Sequence, residues 1–427
     1  MSQMEVFSNA VPSVAKPATL LMLLPRDQTS WCQQFAQEGY NVVHLTYPLS
    51  ANASFKDAMK VVGEQILALG ADWGLLTYGL TTKDAETLVL KLALSLADLK
   101  ACAHFCPDAE DTHGFLLKDS QGRHVPRCSI SVTFHLASSQ EVLHASLLLL
   151  EDPANLGYSL PTHSRLPVRV YSYPLVSKSP PFPFSIQPPV SVKAGDQQSI
   201  DPYLRSASSL SLTRTLELLK SYLGPHFNLE RLWEMHTYYE FIERDAPKTM
   251  STMVATPYVN HVPTMTGGVG YEELARFYKY HFTTVRGETH AVFHVHDVWQ
   301  VTPQDFELIT VSRTVGCDRI VDEMIFKCHH TSEIDYFLPG IAPTGKYIQI
   351  AMTFVGVPSI YKLMVYLADP LGRYWDQAGL LAQLGLLDPS NLPVAGIEVP
   401  TKVLDPFGMP SNTLLKRWHE SEGLPID

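Results

Sequence analysis

The 427-residue chain is poor in charge, and the charge it has is mostly of one sign. Charged residues make up 18%, with 32 Lys+Arg against 43 Asp+Glu and a formal net charge of −11. No basic block of about five or six residues occurs. Phosphate binding needs clustered Lys and Arg, so a nucleic-acid groove is not expected. Long apolar runs are absent too: none reaches the roughly eighteen residues of a membrane span, so no membrane partner is expected. Near the start only Lys16 precedes a short apolar stretch, Leu20–Leu24, which Pro25 stops. A secretory signal has an early positive region and a longer apolar one, so this stretch reads as a strand and the location as cytoplasmic. The six cysteines (Cys32, Cys102, Cys106, Cys128, Cys317, Cys328) are scattered and form no CxxC pairs, which points to free thiols. No G-x-G-x-x-G follows a strand and no Walker pattern occurs. Thr266-Gly267-Gly268-Val269-Gly270 reads as a loop entering a helix, so no cofactor is expected. No repeat of about 20–50 residues is visible.

What is present is enough apolar sequence, 45%, for sizeable cores in a chain long enough for two domains. Residues 18–215 alternate short apolar strands with amphipathic helices. Ala18–Leu24, Asn41–Tyr47, Asp72–Thr77 and Lys100–Phe105 read as strands, and Gln33–Gly39, Phe55–Leu69 and Lys83–Leu99 as helices. That alternation predicts a parallel sheet covered on both faces. Residues 174–203 are crowded with proline and serine, a helix is predicted over Ser208–Tyr222, and Leu223-Gly224-Pro225 stops it. The predicted boundary is at 224, with a second domain over 225–390 and a tail over 391–427. In the second domain a long helix, Leu229–Val254, is followed by Tyr258–Pro263, a helix Tyr271–Phe282 and β-rich runs at 291–301, 306–315, 319–329 and 347–355. Helices first and an antiparallel meander after them read as α+β.

Three strand ends in residues 18–222 resemble the dienelactone hydrolase branch of the α/β-hydrolases. Leu75-Leu76-Thr77-Tyr78-Gly79-Leu80-Thr81 stands where that family has a G-x-C-x-G nucleophile elbow, and Gly79 takes the nucleophile's place. Cys128–Gln140 offers Ser138 and Ser139 where the acid would follow. Val168–Phe182 offers Lys178, Ser179 and Pro180 where the histidine would be. Nucleophile, base and orienter act as a unit, so the resemblance implies a hydrolase-like frame without acyl-transfer chemistry. His104, Cys106 and His135 remain near strand ends, where ligands of α/β folds sit.

Residues 228–390 carry Glu243-Arg244-Asp245, Tyr258-Val259-Asn260-His261-Val262-Pro263, Arg319–Lys327, Pro343-Thr344-Gly345-Lys346 and Trp375-Asp376-Gln377, in that order. This series resembles the SnoaL-like group of the nuclear-transport-factor-2-like fold, a curved antiparallel sheet wrapped by helices around a pocket. The whole arrangement resembles fungal fusions of a dienelactone-hydrolase-like half with a SnoaL-like half. Residues 285–303 look longer than the group's connection there, and 356–374 lack its usual histidine- and glutamate-bearing strand.

Strand alternation puts Asp322, Met324, Phe326 and Cys328 on one face, apolar except for the carboxylate. A desolvated carboxyl there would titrate nearer neutrality and serve as a general acid or base. His261 shares its strand face with Val259 and Pro263, opposite Tyr258 and Asn260. Asp376 lies where the resemblance implies a proton shuttle, although a helix N-cap suits it equally. Asp376, Asp322 and His261 are the candidate catalytic residues; Tyr239, His236, Tyr258, Met324, Phe326 and Trp375 are candidates for substrate contact. His236, Tyr239, Glu240 and Glu243 share one helical face by their spacing. His290, His294, His296 and His329-His330 lack a convincing metal-ligand pattern, so no metal is expected. The implied function is cofactor-independent cyclisation, isomerisation or dehydration of a hydrophobic, carbonyl-rich molecule, a polyketide or terpenoid. A dienelactone-type ester or lactone hydrolase and a non-catalytic ligand carrier are the alternatives. A homodimer through the sheet of the second domain is expected, because Val321, Ile325 and their neighbours would otherwise leave an apolar patch on the outer sheet face.

Overall fold

The computed structural model describes residues 4–70, 72–88, 98–111, 114–115, 130–148, 168–187, 201–254, 257–283, 301–356 and 371–426. Two compact units meet in the chain at Phe227 and Asn228.

In the first unit, alternating apolar segments form a seven-stranded sheet. Its strands are β1 (Met4–Phe7), β2 (Thr19–Leu24), β3 (Asn41–Thr46), β4 (Trp73–Tyr78), β5 (Leu99–Phe105), β6 (Ser131–Ala137) and β7 (Val168–Tyr173). The order is β1-β3-β2-β4-β5-β6-β7, with every pair parallel except β1 against β3. All six residues of β2 are buried, as a strand covered on both faces requires. The helix Phe55–Leu69 begins on Ser54, whose side chain accepts from the Asp57 N–H, and ends at Gly70 with φ +61°. The sequence pattern finds this helix at both ends. It misses β1, a short edge strand without a continuous apolar run, and it shortens the last helix, which spans Pro202–Leu223.

The second unit holds β8 (Tyr258–His261), β9 (Thr266–Val269), β10 (Glu307–Val315), β11 (Ile320–His329), β12 (Tyr347–Gly356) and β13 (Leu371–Trp375). They form one sheet in the order β10-β11-β12-β13-β8-β9, antiparallel except for the parallel pair β13 and β8. β9 stands where a loop was expected. At Gly267 φ is +131° and a Cβ would lie 2.1 Å from the Val259 carbonyl oxygen, so only glycine lets β9 approach β8. The run expected at 291–301 lies outside the described residues up to 300.

The long helix expected over 229–254 is three pieces. Leu229–Thr237 is α-helical, Tyr238–Glu243 winds as a π-helix, and Arg244 at φ +56° ends it. Asp245 then caps a separate helix, Ala246–Ser251, by accepting from the Lys248 N–H at 2.9 Å. A π turn advances the chain less per residue, so the i, i+7 relation across it fails. His236 and Glu240 are buried together, while Glu243 faces solvent beside Lys248.

Ile325, on the sheet face opposite Asp322, is fully buried, and the helix Glu398–Leu404 packs on β12. The apolar patch expected there, the premise for homodimerisation, is therefore smaller than the alternation of β11 suggests.

Candidate functional site

Register places the polar residues of the second unit in one line. Arg313 on β10 stands opposite Asp322 on β11, Asp322 opposite Phe354 on β12, and Phe354 opposite Arg373 on β13. Arg373 stands opposite His261 on β8, and His261 opposite Thr266 on β9. Directly paired residues share a sheet face, so these six point to the same side. The helix Leu229–Thr237 and its π extension cover that side.

At one end of the line, Asp322 is fully buried. Arg313 donates to both its oxygens, from Nε at 2.7 Å and Nη2 at 2.9 Å, and Trp233 Nε1 donates at 2.8 Å. Arg313 also reaches Glu230 at 2.9 Å and Glu234 at 3.2 Å on its outer side. This corrects the sequence expectation of a lone carboxyl among apolar neighbours. The strand face is apolar within β11, but its cation arrives from the next strand and its third donor from a helix.

At the other end, across Phe354, lies a second buried cluster. Arg373 Nη2 donates to both Glu240 oxygens at 2.6 Å, and Nη1 donates to His261 Nε2 at 3.1 Å. Nε2 of His261 therefore carries the lone pair, and Nδ1 the proton that it donates to Thr266 Oγ1 at 3.0 Å. Glu240 also accepts from the Tyr278 hydroxyl at 2.6 Å, and His236 Nε2 lies 3.3 Å from it. His236 Nδ1 is 2.7 Å from Thr252 Oγ1, whose own proton goes to the Thr249 carbonyl. Both ring nitrogens of His236 thus face acceptors.

Phe354, Phe282 and Phe241 surround the Arg373 guanidinium, their ring centres 4.7, 4.9 and 5.4 Å away. Phe277, Phe282, Tyr336 and Trp375 surround His261 at 5.5–6.1 Å. Burial alone would raise the Glu240 pKa, but the charges of Arg373 and His236 and the Tyr278 hydrogen bond outweigh it and hold it at about 2. Burial, helped by the Arg373 charge, pushes His261 well below its ordinary value and keeps the imidazole neutral. Burial and the neighbouring Glu240 push the Tyr278 hydroxyl well above its own.

The candidates from sequence divide accordingly. His261 and His236 belong to the buried cluster, and the ring of Trp375 lies against His261 while its Nε1 donates to Gln377 Oε1. Met324 lines a groove described below, and Phe326 packs behind it on Phe306 and Phe337. Asp376 caps the helix Gln377–Gln383, accepting from the Gly379 N–H at 2.8 Å. Tyr258 lies on the opposite face of β8 from His261, near Tyr374. Tyr239 sits beside Tyr238 and Lys248, turned from the cluster by the π winding. The sequence reading missed Arg373, Tyr278 and Tyr336 and gave Glu240 a place on a helix face but no role. The alternation of Arg373 with Trp375 on β13 and the i, i+4 spacing of His236 and Glu240 were the available signals.

Beside this cluster a groove of about 1040 Å³ runs between the π-helical segment and β10. Tyr238, Phe241, Ile242, Phe306, Leu308 and Met324 are among its lining residues, with Arg244 and with the Arg313–Asp322 pair. Phe241 lines the groove and packs on Arg373, so a single ring separates the groove from the buried cluster.

In the first unit, Gly79 follows β4 with φ +62°, and a Cβ there would meet nothing within 4 Å. The turn is open above the sheet and holds no nucleophile. Ser138 donates its N–H to the Val176 carbonyl, and Lys178 pairs with Asp108 at 2.9 Å. Burial pushes the Cys106 thiol up to about 12, and it pushes His104 and His135 down to about 3. None of the three is poised to react near neutral pH. Gly79→Ser is therefore expected to leave p-nitrophenyl ester hydrolysis at background. Activity that appears in the Gly79→Ser variant, or wild-type activity lost on altering Leu80, would show a working elbow. Five cysteines are free thiols, and Cys128 lies outside the described residues.

Among the described residues no group of three or more metal-ligating side chains occurs, and no helix is long and apolar enough to cross a membrane. His290, His294 and His296 lie outside them. His329 pairs with Asp305 and His330 with Thr344.

No family model and no curated protein matches the chain. Among solved structures, part of it is similar to TsrD from Streptomyces laurentii, at 18% identity and a TM-score of 0.25, over 37% of this chain and 95% of that one. Part is similar to a protein from Jannaschia sp. CCS1 described as a SnoaL-like polyketide cyclase, at 11% identity and 0.26, over 39% and 99%. A protein of ketosteroid-isomerase-like fold from Catenulispora acidiphila aligns at 9% identity and 0.25, over 38% and 96%.

Proposed function

We propose that the second unit carries out cofactor-independent proton transfer on a hydrophobic carbonyl compound, leading to cyclisation, isomerisation or dehydration. A polyketide or terpenoid skeleton would suit it. The observation that carries this reading is the buried set Glu240, Arg373 and His261 in an aromatic surround, one ring away from a groove with an apolar side. Enolisation needs a base near the carbon that loses its proton and a cation or donor near the oxygen that gains charge. Arg373 is the cation. His261, neutral and with its Nε2 lone pair held by Arg373, is one base, and it too is weak while that charge stands beside it. Glu240 is the other, although with Arg373, His236 and Tyr278 on it the carboxylate is too acidic to take a proton. A carbonyl oxygen that draws Arg373 toward itself removes the largest of those charges. Burial then dominates, and the basicity of Glu240 rises as the oxyanion partner engages.

The first unit, on this reading, is a dienelactone-hydrolase-like frame that no longer hydrolyses, supported by the side-chain-free turn at Gly79.

Deuterium exchange at carbons next to a carbonyl tests the proposal without knowledge of the product. A panel of aryl 1,3-diketones in deuterated buffer is expected to exchange faster with the protein present. Tyr278→Phe, which keeps the packing and removes one donor from Glu240, is expected to change that rate about tenfold, the worth of one charge-assisted hydrogen bond. Bound diketones that never exchange would leave a ligand carrier in place of an enzyme, and accelerated exchange unmoved by both Tyr278→Phe and His261→Gln would place the chemistry outside this cluster.

A further inference from the structure

We propose that the groove between residues 238–244 and β10 binds a hydrophobic carboxylic acid, with the carboxylate held by Arg244. This deepens the function proposed above by naming the substrate class, and it rests on the groove being where the substrate lies.

The argument begins with the charges of the lining. Glu234 and Asp322 are paired with Arg313, at 3.2 and 2.7 Å, and Glu307 is paired with Lys327 at 2.6 Å. Just outside, Glu243 is paired with Lys248 at 2.9 Å. Arg244 is the lining cation that has no carboxylate partner among the described residues. Its guanidinium donates to backbone carbonyls alone: Nε to Phe241 at 3.4 Å, Nη1 to Thr302 and Nη2 to Pro303, both at 3.3 Å. All three are longer than an ordinary N–H···O bond, and a guanidinium has five N–H donors in a planar fork. Its carbon lies 5.2 Å from the centre of the Phe306 ring, which fixes the plane of the fork. Burial holds the group below its ordinary pKa, as expected for a cation without a counter-charge.

A half-buried arginine on weak carbonyl contacts is costly unless something anionic completes it. A carboxylate matches the fork in two parallel bonds, which a carbonyl or hydroxyl cannot do. The uncharged lining states what the carboxylate is attached to. Tyr238, Phe241, Ile242, Phe306, Leu308 and Met324 form an apolar trough bordered by Thr237, Gln304 and Thr310, and Tyr238 and Ile242 are exposed, as residues awaiting a ligand's cover would be. The volume suits a molecule of drug size. At the far end, Arg313 is surrounded by Asp322, Glu230 and Glu234, so that end repels a second carboxylate and fixes the ligand's direction.

Calorimetric titration of the full chain with 1-naphthoate and with decanoate, each beside its neutral amide, tests the site. Either acid binding at least about tenfold tighter than its own amide supports the proposal, the preferred one showing whether the trough takes rings or chains. No preference for acid over amide in either pair overturns it. Arg244→Gln should abolish the preference, bringing each acid down to the affinity of its own amide. Arg244→Lys should restore part of it, since a point charge lacks the fork. Ile242→Glu, at an exposed position that leaves the fold alone, adds a negative charge to the trough and should weaken the acids more than the amides. A preference that survives both Arg244→Gln and Ile242→Glu overturns the assignment to Arg244. Diketone exchange reads the buried cluster separately. Acid preference without exchange leaves this site standing and removes the catalytic reading, and exchange without acid preference does the reverse.

Discussion

Replacing Glu240 with glutamine is expected to destabilise the second unit by about 3–5 kcal/mol, the cost of breaking one partner out of a buried ion pair. Glu240 is fully buried, and Arg373, Tyr278 and His236 all direct polar atoms at it. A glutamine offers one acceptor where two oxygens stood, and it turns an amide N–H₂ toward donors. Arg373 is left as a cation among Phe354, Phe282 and Phe241, far from water. The pH dependence gives the loss a signature. Glu240 titrates at about 2 in the folded chain against an ordinary value of 4.5. A carboxyl lowered by folding contributes stability fully above its unfolded pKa and loses it as pH falls through the folded one. The wild type should therefore lose roughly 3 kcal/mol between about pH 4.5 and pH 2 from this residue alone. Glu240→Gln, already without that contribution, should show a flatter acid limb. Thermal melts from pH 2 to 7, with hydrogen exchange at the β13 amides to localise the effect, measure both. A variant as steep in acid as the wild type would mean that Glu240 is not the ionised partner of Arg373.

The same residues show what the sequence can and cannot reveal. The β11 alternation that buries Asp322, Met324, Phe326 and Cys328 is local, and period two is enough to read it. So is the β8 alternation that buries Val259 and His261 and leaves Tyr258 and Asn260 half-exposed. The line Arg313, Asp322, Phe354, Arg373, His261 and Thr266 is not local. It depends on the register of five strand pairs, one of them parallel, and pairing register is set by whole faces and turns. A lone carboxylate on β11 therefore looked free to titrate, while its arginine stood nine residues earlier on the neighbouring strand. The π winding at Tyr238 is also invisible to a 3.6-residue template. It turned Tyr239 and Glu243 away from the face that His236 and Glu240 share. A cap carries its chemistry in the residue itself, and the cap at Asp376 was read from the sequence, whereas Asp245, which likewise accepts from the backbone N–H three residues on, was passed over inside the helix expected over 229–254.

Asp322→Asn is expected to act on stability, with little effect on any proton-transfer rate. The carboxylate receives two arms of Arg313 and the Trp233 indole, and an asparagine N–H₂ would face one of those donors without an acceptor. Arg313 keeps Glu230 and Glu234 on its more exposed side, so the cost should fall toward the low end of the range for broken buried pairs, about 3 kcal/mol. Changing both members to apolar residues, Arg313→Met with Asp322→Leu, should recover most of that loss, because no charge is then left unpaired. The two single substitutions and the double form a cycle, and a coupling of at least about 2 kcal/mol in the melts is the expected outcome. A catalytic acid would behave in the opposite way. Asp322→Asn would then melt like the wild type and lower diketone exchange by roughly 10²–10⁴, the range for a positioned acid or base. The double substitution discriminates most sharply. A protein without Arg313 and Asp322 that folds and still exchanges diketones would place the chemistry across Phe354, with Glu240, Arg373 and His261. One that folds and has lost exchange entirely would return it to Asp322.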